Sequence, residues 1–106
     1  MMWEVIYHEK AELELVELNN ASRLRVVKAI QKVARNPLPQ SEGGYGKPLG
    51  NRPSSKLAGL MKIKLKSAGL RVVYQLIRND LVMRVLIISV RDDSRVYKDA
   101  EGRMNT

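Results

Sequence analysis

The chain has 106 residues, 44% of them hydrophobic and 28% charged, with a net charge of +8. Those proportions suit one domain with one core, spanning 1–106, and exclude a disordered chain. With no cysteine there is no disulfide framework and no thiolate metal site, and no apolar run reaches the roughly 18 residues of a membrane span.

The N-terminus, Met-Met-Trp-Glu, lacks the basic start and apolar run of a signal peptide, so a cytoplasmic location is expected. "WEVIYH" (Trp3–His8) is rich in strand formers and predicts a first strand. Glu9–Leu18 places Ala11, Leu15 and Leu18 on one face between glutamates, which predicts an amphipathic helix. Asn19-Asn20 interrupts it, with Asn20 read as the cap of the next helix. That helix carries Val26, Val27, Ile30, Val33 and Ala34 on one stripe and stops at Asn36-Pro37. So short a connection requires an antiparallel helical hairpin.

Residues 37–56 hold four prolines and four of the seven glycines, and read as a loop. Lys47 is followed by Pro48, which rules out a phosphate-cradling G-x-x-x-x-G-K-[ST]. Three strand-like segments follow: Gly59–Lys66, Leu70–Arg78 and Leu81–Val90. Ser67-Ala68-Gly69 and Asn79-Asp80 are the turn signals between them, and the tail from Tyr97 to Thr106 is expected to form one helical turn or to fray. The expected fold is α+β, ordered β-α-α-β-β-β, with the helical hairpin on one face of a small, mainly antiparallel, four-stranded sheet.

The charge is unevenly placed. Residues 1–46 carry six Lys/Arg and six Asp/Glu, whereas 47–98 carry twelve Lys/Arg against Asp80, Asp92 and Asp93. Such segregation points to an anionic partner, most often nucleic acid.

Strand alternation sends Met61, Ile63 and Leu65 toward the helices and Lys62, Lys64 and Lys66 away from them. A two-residue turn at Ala68-Gly69 pairs Lys66 with Arg71, Lys64 with Val73 and Lys62 with Gln75. Arg71 then joins the lysine face, and Val72, Tyr74 and Leu76 are core. A three-residue turn would drive the guanidinium into the core at a cost of several kcal/mol by rough estimate.

Catalytic options are narrow. His8 is the only histidine and reads as a helix-start or surface residue. Ser67, Ser89 and Ser94 therefore lack a triad partner, and zinc lacks ligands. Asp92-Asp93, between Arg91 and Arg95, reads as exposed or salt-bridged rather than as a Mg²⁺ site. Lysine, arginine and tyrosine remain. Such a set can cleave RNA, because the 2′-hydroxyl supplies the nucleophile and the protein need only position, stabilise charge and move protons. Arginine suits bidentate charge stabilisation, and a lysine crowded by like charge can serve as a base.

"KLAGLMKIKLKSAGLRVVYQLI", "VLIISV" and "VRDDSRVYKDA" resemble the RelE branch of the RelE/ParE toxins of bacterial toxin–antitoxin modules. The K-x-K-L-x-S-x-G-x-R-x-V-Y-Q run is the specific signal, and the N-terminal half agrees by pattern only. The resemblance implies a ribosome-dependent endoribonuclease that cuts mRNA in the ribosomal A site, uses no metal or cofactor and leaves a 2′,3′-cyclic phosphate. It also implies an antitoxin partner. Its catalytic set maps to Lys62, Lys64, Arg71, Arg91 and Tyr97: a lysine as general base, Arg71 as phosphate clamp, Arg91 as acid or charge stabiliser, and Tyr97 orienting the nucleotide. Lys66, Arg95, Lys98 and Lys56 are expected to contact RNA, with Arg95 an alternative to Arg91. Leu70 stands where relatives often carry an aromatic, and Asp92-Asp93 makes the segment before Tyr97 less basic than theirs. Two other readings share the fold or the charge: a ParE-like gyrase poison and a non-catalytic RNA-binding module.

Overall fold

The computed structural model describes residues 2–49, 59–90 and 93–106, with the backbone alone over 93–97. Five strands form one sheet in the order β1-β5-β4-β3-β2. They are β1 (Glu4–Tyr7), β2 (Lys47–Pro48), β3 (Leu60–Leu65), β4 (Leu70–Ile77) and β5 (Val82–Val90). β1 runs parallel to β5, and the other pairs are antiparallel. Helices α1 (Glu9–Glu17) and α2 (Asn20–Val33) make the expected hairpin, and α3 (Asp93–Met104) follows β5. The α+β class is as expected. The fifth strand is the short β2, inside the stretch read as loop.

Local chemistry starts each helix. His8 precedes α1, and its Nδ1 accepts the Lys10 N–H at 3.1 Å. Asn19, rather than Asn20, caps α2, its Oδ1 accepting the Ser22 N–H at 2.8 Å. Arg23 then donates to the Val16 and Leu18 carbonyls at 2.8 and 2.7 Å, filling acceptors that the end of α1 leaves open. One side chain thereby fastens the two helices together.

The hairpin packs on one sheet face. Ala11, Val26, Ile30 and Val33 meet Met61, Val72, Tyr74, Met83, Val85 and Ile88, none more than 6% exposed. Each large side chain so buried contributes roughly 1.5–3 kcal/mol. The Tyr74 hydroxyl donates to the Pro37 carbonyl at 2.8 Å, and burial pushes its pKa well above the ordinary phenol range.

The hairpin registers differ from expectation. Leu65 pairs with Leu70 and Ile77 with Val82, so the connections are the four-residue turns Lys66–Gly69 and Arg78–Leu81. Each is a 3₁₀ turn closed by a left-handed residue, Gly69 at φ 66° and Leu81 at φ 54°. A tight type I′ turn would demand positive φ at Ala68 as well, which a Cβ opposes. Arg71 therefore faces Lys64, not Lys66, and Lys62 faces Val73. The shift is by two residues, so every side chain keeps its predicted face.

The second face is covered too. Ala100 and Met104 of α3 pack with Leu49, Leu60, Val73, Leu86 and Ile87. A bulge between Val73 and Tyr74 leaves Leu86 without a partner in β4, so Leu86 and Ile87 both serve this smaller core while Val85 and Ile88 serve the larger one. The tail from Tyr97, expected to form one helical turn or to fray, thus belongs to a helix of 12 residues. A polar clamp holds it. Arg103 grips Glu14 at 2.8 and 3.0 Å and donates to the Leu86 carbonyl at 2.8 Å, while a Glu14 oxygen accepts the Ile88 N–H at 3.0 Å. β1 stops opposite Val85, so these two backbone groups of β5 lie beyond its reach. The ion pair completes the sheet edge in place of a longer strand.

Candidate active site

Cross-strand pairing organises the cations on the face opposite the hairpin. One row runs Lys64–Arg71–Ser89 across β3, β4 and β5. The next runs Lys47–Lys62–Val73–Ile87 across β2 to β5. Directly opposed residues hold their Cβ atoms about 4.5–5.5 Å apart, so Lys64 and Arg71 reach one small group together. Lys62 sits on the same face, two residues before Lys64 in β3 and diagonal to Arg71.

The groups differ in exposure. Lys64 is open to solvent, Lys62 is half-buried, and Arg71 is only 3% exposed. Arg71 therefore joins the lysine face as expected but lies at its floor. A buried guanidinium has a fixed fork of donors and little rotamer freedom to lose on meeting an anion.

Lys66 is not on this row. It opens the β3–β4 turn, where its carbonyl accepts the Gly69 N–H. Lys47 was missed by sequence reasoning, because Pro48 and the surrounding glycines mask a two-residue strand. Its pairing with Lys62 was the signal, and only the fold displays it.

α3 crosses the same face through Ala100, and Tyr97 lies three residues before that contact, in the same helix as Arg95. Arg91 and Lys56 lie outside the described residues, as do the side chains of Arg95 and Tyr97. Lys98 points elsewhere: it lines a cleft with Tyr7, His8, Arg84 and Arg103 at the other end of α3. There His8 is buried, and Nε2 reaches the Thr106 hydroxyl at 2.6 Å. Burial first, then Arg84, Arg103 and Lys10, lowers its pKa. His8 is thus a helix-start residue, but not a surface one. Among the described residues no three His, Asp or Glu side chains gather as a metal site. No described helix is long and apolar enough to cross a membrane.

A mainly antiparallel sheet thus carries a helical hairpin on one face and cations in register on the other, the layout of a small basic α+β domain with an anion-binding face. No protein-family model matches the chain. It is, however, 33% identical over 107 residues to a RelE-like toxin protein of Escherichia coli, covering 98% of this chain and 99% of that one. It is 29% identical over 104 residues to the mRNA interferase toxin RelE of Escherichia coli K12, with the same coverage. An E. coli RelE carrying two arginine-to-alanine changes, solved in the free state, superposes with a TM-score of 0.78 at 27% identity, covering 98% of this chain and 99% of that one. The same variant bound to a peptide of the antitoxin RelB gives a TM-score of 0.69 at 27% identity, covering 94% and 95%. The chain belongs to the RelE family of toxins.

Proposed function

We propose that this chain is the toxin of a toxin–antitoxin pair and acts as an mRNA interferase. It is an endoribonuclease that cuts mRNA in the ribosomal A site and so arrests translation. The observation that carries this reading is the Lys64–Arg71 pair, in register on the face away from the hairpin, with Lys62 beside it.

Lys64 or Lys62 takes the proton of the 2′-hydroxyl, whose oxygen attacks the adjacent phosphorus. Arg71 holds the charge that gathers on the phosphoryl oxygens. The 5′ oxygen leaves with a proton supplied by a second arginine, Arg91 or Arg95, and Tyr97 orients the nucleotide. The product is a 2′,3′-cyclic phosphate. No step calls for a metal, and one histidine with no cysteine is a poor donor set for one. An antitoxin holds the toxin in check, as RelB peptide binds its E. coli relative.

Purified protein added to a translating ribosome system should cut the mRNA, read by primer extension. Lys64→Ala and Arg71→Ala should each slow cutting by on the order of 10²–10³, and Lys66→Ala by only a few-fold. Intact mRNA together with trapped gyrase–DNA complexes would overturn the proposal in favour of a gyrase poison.

A further inference from the structure

Charge summed along residues 1–46 cancels, but in space it does not. Between Glu17 and Glu42 there is no acid at all, and Arg23, Arg25, Lys28, Lys32 and Arg35 all fall in that gap. The helical hairpin is therefore one acidic helix beside one basic helix. Arg23 is engaged with the end of α1. The other four, spaced by three, four and three residues, share one stripe along α2 and its C-terminal end. At about 1.5 Å per residue that stripe is about 15 Å long. All four are exposed, and they lie opposite the buried stripe of Val26, Ile30 and Val33.

Both ends of the stripe lead somewhere. At one end the Arg25 Nη1 donates to the Ser67 hydroxyl at 3.3 Å, in the turn that begins with Lys66, two residues past Lys64. At the other end the Lys32 ammonium sits 5.5 Å from the centre of the Tyr45 ring, which is 50% exposed. Lys28, Lys32, Arg35 and Tyr45 line one groove there.

Glu42 and Glu4 do not offset this charge. Glu42 is held by Arg78 in a two-point pair at 2.8 Å, which also lowers its pKa. Glu4 alternates with Val5, which packs toward the hairpin, so Glu4 faces the other side of the sheet. A lone tyrosine with one cation at its ring is a stacking platform for an unpaired base. A polyanion with flat bases satisfies both parts of this surface, whereas an acidic peptide satisfies only the charge.

We infer that α2 carries a second RNA-binding track, in which Arg25, Lys28, Lys32 and Arg35 follow a phosphate backbone toward a base stacked on Tyr45. The track rests on the reading of the chain as an RNA-cleaving toxin and deepens it. The RNA held here is not the strand being cut, since α2 lies on the sheet face opposite Lys64 and Arg71. It is structured RNA of the kind a ribosome presents, and the track anchors the toxin while the sheet face works.

The test uses the full chain and a labelled RNA stem–loop with an unpaired loop, titrated between 50 and 200 mM salt. Lys28→Gln, Lys32→Gln and Arg35→Gln combined should weaken binding roughly 10- to 100-fold and reduce the salt slope by about 2–3, with the melting temperature kept. Tyr45→Ser alone should weaken binding to the stem–loop several-fold but leave a loopless duplex unaffected. Unchanged stem–loop affinity in the triple variant would overturn the track. So would a variant that loses affinity only for polyglutamate, which would mark a protein partner instead. If the wild type cuts no mRNA on ribosomes, the functional reading falls separately from the binding result.

Discussion

Glu14→Ala should destabilise the fold more than any exposed charge change. Three bonds disappear: two to Arg103 and one from the Ile88 N–H. Leaving a buried backbone donor unsatisfied costs about 1–3 kcal/mol. The guanidinium also loses its carboxylate. A fully buried pair broken on one side costs about 3–5 kcal/mol, but these side chains are 12% and 26% exposed, so roughly 1–2 kcal/mol is the fair share. The sum, about 2–5 kcal/mol, corresponds to a drop of roughly 8–20 °C in Tm at about 4 °C per kcal/mol for a domain of this size. Thermal unfolding followed by circular dichroism measures it, and hydrogen exchange at the Ile88 amide locates it. Glu42→Ala is the comparison, because the Glu42–Arg78 pair is solvent-exposed and such pairs contribute little. If both variants melt alike, or if Ile88 stays protected, the clamp does not complete the sheet edge.

Two further outcomes are expected. His8 has a folded-state pKa below its ordinary value of 6.5, so the unfolded chain binds the proton first as pH falls. Stability should therefore decline from about pH 7 through 6.5 and level off below the folded value; His8→Asn, which caps α1 without titrating, should flatten the Tm profile there, and equal slopes would refute it. Leu81, 41% exposed at φ 54°, is in the conformation that Gly69 occupies in the matching turn, so Leu81→Asn should raise stability by about 0.5 kcal/mol and Gly69→Leu should lower it by about 1–2 kcal/mol in urea titrations.

Periodicity in the sequence located both hairpin helices and the three long strands, since a stripe or an alternation needs only near neighbours to be read. It also assigned Lys62, Lys64 and Arg71 to one face. That assignment withstood a wrong turn length because strand parity repeats every two residues. The pairing partner did not, since turn length depends on where a left-handed residue falls, and Ala68-Gly69 looked like a shorter turn. Lys47 was hidden for another reason: a two-residue strand has no pattern of its own. α3 was understated because Ala100 and Met104 are a meagre apolar stripe, and its hold comes from Glu14, distant in the chain. The buried position of Arg71 was illegible because α3 and the second core were not foreseen.

The parallel pairing of β1 with β5 divides the folding of this chain in time. β3 and β4 are joined by a four-residue turn, so their hairpin, with Lys64 already opposite Arg71, can form from local contacts. β1 has no such partner nearby. Glu4 must wait for Val82 and Tyr7 for Val85, across most of the chain. Loop closure over that distance is slow, and it comes after the charged hairpin can already exist. Contact order therefore predicts that a growing chain holds its cationic row before it holds a closed sheet, with β1 and its two attached helices docking late.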